Sequence, residues 1–174
     1  MNRALLATLA LLLGSTGLSA ETLERQYQAV MHVRKVETIP VFGASDHVVG
    51  IAAFRGLAVF DDEEVVLHRY EGQFDIRDGS GPFEGYALWR FDDGSEITAT
   101  YKGEAHEVSA NDFEVSATFH DLRGTGRFDG AVGGGAFSGR RIDPIDQGGS
   151  TYLRGTLTLT LPDVTPAAPA APSQ

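Results

Sequence analysis

Residues 123–140 read RGTGRFDGAVGGGAFSGR. They hold the spelling G-x-G-x-F-x-G twice, at 124–130 and 133–139, and it occurs a third time at 79–85 as GSGPFEG. Glycine admits positive φ at a turn or bulge and lets neighbouring backbones approach closely. A lone Phe among small or polar residues suits a short strand whose one large side chain points inward. Repeated glycines within strands are how a sheet bends and closes. A phosphate-binding loop is excluded. The sixth position of each copy is Glu84, Asp129 or Ser138 rather than Gly, and no G-K-[ST] occurs.

Outward from these ribbons, residues 21–161 carry no helix-period apolar stripe. Val, Ile, Thr, Tyr and Phe cluster between closely spaced turn signals, the pattern of antiparallel β structure. Tyr27, Ala29, Met31 and Val33 share one face of a strand over 24–36. Residues 47–60 are apolar on both faces, so their inward side is ambiguous. Val66, His68, Tyr70, Phe74 and Ile76 lie opposite Arg69, Glu71, Gln73 and Asp75. Phe83, Ala87, Trp89 and Phe91 fall together, and Asp93-Gly94 marks a hairpin. Ile97, Ala99 and Tyr101 follow, then Phe113, Val115, Ala117 and Phe119 alternating with Glu114, Ser116, Thr118 and His120. The two glycine ribbons come next, and 151–161 ends the domain with Leu153, Leu157, Leu159 and Leu161 on one side. One apolar face on each of about eight strands predicts an all-β fold, a single antiparallel barrel closed around a common interior. A two-sheet β-sandwich is the rival architecture. A lipid-spanning barrel has its apolar face outside, which the Glu, Lys, Arg and Asp of the non-core faces oppose.

The termini read differently. Arg3, the apolar run 4–13 and Leu18-Ser19-Ala20 have the layout of a secretory signal peptide over residues 1–20, cleaved before Glu21. That run is too short to span a bilayer, and it predicts a periplasmic or secreted protein. Residues 162–174, PDVTPAAPAAPSQ, are too rich in proline for a strand or helix and predict a disordered tail.

Composition narrows the function. The absence of Cys excludes disulfides, a thiol nucleophile and Cys-ligated metal. Lys and Arg number 14 against 24 Asp and Glu, a net charge of −10, and losing Arg3 makes it more negative. Such acidity argues against nucleic acid and anionic membranes as partners. There is no G-x-S-x-G elbow and no H-E-x-x-H. His32, His47, His68, His106 and His120 stand singly, so no zinc site is expected. The acidic run 61–64 lacks the spaced ligands of a calcium loop. No cofactor is implied.

The hairpin Phe91-Asp-Asp-Gly-Ser95-Glu-Ile97, the later G-T-G-R-F-D-G and the G-G-G-A-F-S-G before a last Thr/Leu strand resemble the allene oxide cyclase barrel-like superfamily. That superfamily includes allene oxide cyclases, dirigent proteins and small exported bacterial proteins. The resemblance covers about residues 24–161. It implies an eight-stranded barrel with an apolar cavity, a trimer or dimer, and cofactor-free handling of a reactive apolar molecule. It assigns no catalytic residue to this chain.

The residues themselves offer Tyr27, His68, Tyr70, Trp89 and Tyr101 as interior ligand-binding candidates, each on an apolar strand face and each with a polar handle. Three functions remain open at this level. One is an exported barrel binding a small apolar or aromatic molecule. Another is a cyclase or isomerase with His68 or a tyrosine as acid or base. The third is a structural envelope protein whose barrel is packed solid.

Overall fold

The computed structural model describes residues 21–110 and 112–162 of the 174. The signal-like segment 1–20 and the tail beyond Pro162 lie outside the described residues.

Eight strands follow in order: β1 (Glu21–Pro40), β2 (His47–Phe60), β3 (Val65–Arg77), β4 (Ser80–Arg90), β5 (Glu96–Ser109), β6 (Asp112–Gly124), β7 (Val132–Arg141) and β8 (Thr151–Leu161). Each pairs antiparallel with the next, and β1 pairs with β8 from Glu21↔Leu161 to Met31↔Thr151. This last ladder distinguishes a closed barrel from a sandwich, and it leaves no free sheet edge. Side chains alternate as the sequence implies, because successive residues of a strand face opposite sides. The expected inward sets on β1, β3, β4, β5, β6 and β8 all face the interior. β2, ambiguous in sequence, turns Ala52, Ala58 and Phe60 in, while Ile51, Leu57 and Val59 stay exposed.

The three glycine heptapeptides part company. In the first, Gly79 has φ +74 in the β3–β4 turn, and Phe83 faces inward on β4. In the third, Gly135 and Gly139 are inward positions of β7 on either side of Phe137. The middle copy corrects the expectation of a strand. It forms a 3-10 turn at Gly126–Phe128 between β6 and β7, with Gly126 at φ +62 and Gly130 at φ +74. Its Phe128 turns into the core instead of standing on a sheet.

That turn helps stop one end of the barrel, the closed end. Phe91 and Phe128 pack at 4.8 Å between ring centroids, and Phe60 stacks on Phe91 at 5.8 Å. Arg25 is buried there over the Phe60 ring at 4.1 Å, and it is bonded to Asp62 at 2.6 Å and Glu64 at 3.1 Å. Arg127 joins from the 3-10 turn, 2.6 Å from Glu64 and 4.5 Å from the Phe91 centroid. A buried guanidinium is tolerated when its charge and donors are met this way. The opposite, open end carries the β1–β2, β3–β4, β5–β6 and β7–β8 connections.

Candidate functional site

Following β3 from the closed end to the open end divides the interior into layers. Val66, His68, Tyr70, Gly72, Phe74 and Ile76 face inward in that order. At the His68 level the space is filled. Tyr27, Trp89 and Phe119 meet there, with Trp89 centroids 5.7 Å from Tyr27 and 5.0 Å from Phe119. Met31, Leu153 and Leu157 complete this layer and are fully buried. At the Tyr70 level the filling stops.

Above it lies a cavity of 310 Å³. Its floor is Tyr70, Tyr101 and Phe137, whose centroids are 5.9 to 6.4 Å apart. Phe54, stacked on Tyr70 at 4.6 Å, Phe74 and Phe83 form the wall. Phe113, Glu107, Arg141, Ile145 and Asp146 surround the mouth. Inward glycines are what hold it open. A Cβ on Gly50 would lie 2.5 Å from the Phe74 ring, and one on Gly72 2.5 Å from the Tyr101 hydroxyl. The rings therefore lie back against backbone along the wall, and the centre stays empty.

Few polar groups reach this space. Burial, reinforced by Tyr101, raises the Tyr70 phenol far above its ordinary value, against the smaller influence of Thr151 and Arg141. Burial and the Glu71 charge raise Tyr101 likewise. Both phenols are thus neutral hydrogen-bond donors at physiological pH. Burial lowers the Arg141 guanidinium from its usual value, opposed by Tyr70 and Glu107. Arg141 lies over Phe113 at 4.1 Å.

Of the five residues singled out in sequence, Tyr70 and Tyr101 line the cavity. Tyr27, His68 and Trp89 sit beneath its floor in the filled layer, facing inward but packed on one another. His68 donates its Nδ1 proton to the Leu88 carbonyl at 3.0 Å, and burial depresses its pKa to about 4. It is a neutral ring in the core. Sequence reasoning passed over Phe54, Phe137 and Arg141. The two-residue period through Gly135, Phe137 and Gly139 places Arg141 on the inward face, and that signal was readable. No group of three or more His, Asp or Glu able to hold a metal occurs among the described residues, and none of their helices could cross a membrane.

No protein-family model matches the chain, and no curated protein matches it.

Proposed function

We propose that the protein is an exported barrel that binds a small apolar or aromatic molecule in its open half. The observation that carries this reading is the contrast within one interior: a filled closed half beneath a 310 Å³ cavity walled by aromatic rings. Small-molecule sites run from about 300 Å³ upward and combine apolar walls with few orienting polar groups. Tyr70, Tyr101 and Arg141 are such groups. The signal-like residues 1–20 support export, and the resemblance to the allene oxide cyclase barrels agrees with a cavity of this kind. A barrel packed throughout would leave no such space.

A second reading, a cofactor-free cyclase or isomerase, is favoured by the two neutral phenols on the floor. They could donate a hydrogen bond to a developing oxyanion. In this version Tyr70 and Tyr101, not the sealed His68, carry the chemistry.

The test uses N-phenylnaphthylamine, a neutral dye that fluoresces in apolar sites. Saturable uptake by the native protein is expected. Ala105 is buried on the cavity wall, so Ala105→Trp fills the space and abolishes uptake while the protein still melts cooperatively. Absence of saturable uptake, or uptake indifferent to Ala105→Trp in a folded variant, defeats the reading.

A further inference from the structure

We propose that the cavity ligand is a compact aromatic acid, with its rings against Tyr70, Tyr101 and Phe137 and its anionic group on Arg141. This rests on the reading of the cavity as a ligand site, and it adds the charge and shape of the ligand.

The charge follows from Arg141. Its place in register between Phe113 of β6 and Thr151 of β8 sets it on the inward side of the barrel mouth. The Phe113 ring centroid lies 4.1 Å from its guanidinium carbon. Its Nε is buried and has no hydrogen-bond partner among the described residues. That nitrogen is closed to solvent, so a cavity ligand would meet the guanidinium through its terminal nitrogens. A carboxylate meets a guanidinium fork with two parallel hydrogen bonds, and no neutral group does so as well. Two acids, Glu107 and Asp146, also border the mouth, and both are exposed. Glu107 lies against Gly79 at the β3–β4 turn, where its N–H bonds the Gly79 carbonyl at 2.8 Å. Glu107 is close enough to act on the Arg141 guanidinium against burial, so it is the acid a ligand anion competes with. Arg141 is the more enclosed charge, so the cavity interior favours an anion.

The shape follows from the floor. Tyr27, His68, Trp89 and Phe119 occupy the space below Tyr70, so no channel continues toward the closed end. A long alkyl chain would have to pass through that layer or trail into solvent. A fused-ring body instead finds ring faces and edges on all sides, an arrangement aromatic groups prefer.

Isothermal titration of the native protein at neutral pH with naphthoate, with the neutral isostere naphthalenemethanol and with hexadecanoate tests each part. Naphthoate is expected to bind about tenfold or more tightly than the alcohol. Arg141→Met should remove that preference, weakening naphthoate far more than the alcohol, and Arg141→Lys should restore part of it. Equal affinity of naphthoate and the alcohol for the unmodified protein overturns the anion assignment, needs no variant, and leaves the apolar site standing. Hexadecanoate binding more tightly than naphthoate overturns the aromatic assignment. Failure of all three compounds to bind overturns the ligand-site reading itself, and this inference with it.

Discussion

His68 and Trp89 stand directly opposite each other on β3 and β4, with their rings stacked at 4.7 Å and 14°. The pair closes the barrel below the cavity. The Nδ1 bond to the Leu88 carbonyl holds the imidazole in this orientation, and burial keeps it neutral.

The first prediction is a pH dependence. The folded His68 pKa of about 4 lies below the ordinary 6.5, because burial disfavours the imidazolium. Between those values the unfolded chain takes up a proton that the folded chain refuses. The stabilisation is complete above the ordinary value and is lost as pH falls through this window, by about 3 kcal/mol. Denaturant titrations across the window should show the loss, and His68→Leu should flatten this component. An equal slope in His68→Leu would mean that other groups set it.

Tyr27→Phe should not weaken the fold. The Tyr27 hydroxyl is buried with no partner among the described residues, and burial raises its pKa far above normal. Removing an unsatisfied buried hydroxyl is expected to be neutral or to stabilise by about 1 kcal/mol or more. Trp89→Ala, by contrast, empties part of the same layer and should cost about 3–5 kcal/mol. Thermal melts of the two variants should move in opposite directions, or Tyr27→Phe not at all. A large loss in Tyr27→Phe would reveal a partner for that hydroxyl.

Two glycine substitutions should differ in size. Gly126 has φ +62, and a side chain there would press on Ser95, whose hydroxyl accepts the Arg127 N–H at 3.0 Å. Gly126→Val should cost more than about 1 kcal/mol through left-handed strain. Gly135→Val should cost more again, because its Cβ would strike the Thr156 carbonyl across the β7–β8 ladder. Neither change should depend on added nucleotide. If Gly135→Val melts like the parent, β7 and β8 are not as closely opposed as described.

The outer face of β2 predicts self-association. Tyr152, Val30 and Leu57 form a row across β8, β1 and β2, with Val59 and Val65 adjoining on β2 and β3. Leu57 is 57% exposed and Val30 53%, directly opposite each other. Large exposed apolar side chains grouped this way mark an interaction surface. A second copy of the chain is the expected partner, so light scattering should find a dimer or trimer and Leu57→Glu should shift it to monomer. A monomeric parent defeats the expectation.

Much of the barrel was legible in sequence because a strand has period two. Ile97, Ala99 and Tyr101 could be assigned inward without any knowledge of their partners. The β2 boundaries at 47 and 60 were also legible, since turn residues flank an apolar run. The middle G-x-G-x-F-x-G was not. Its spelling matches its strand-forming sibling at 133–139, yet it forms a 3-10 turn between β6 and β7 with Gly126 and Gly130 at positive φ.

Alternation, turns and glycine spacing lie within a few residues of one another, so the sequence by itself determined an all-β chain and, on most strands but not β2, which side chains face inward. It could not determine how far along the axis each inward residue lies. That height depends on the stagger of eight ladders and on the β1–β8 closure, contacts between residues more than a hundred positions apart such as Tyr27 and Gly155. The stagger decided which neighbours meet each level, so that His68 falls in the filled layer and Tyr70, two residues further along the same strand, at the cavity floor. It also brought Arg141 and Phe113 to the mouth of the cavity whose floor holds Tyr101. Tertiary structure decided the site because side-chain direction is a local property of the backbone, whereas depth within a closed sheet is a property of all its strands together.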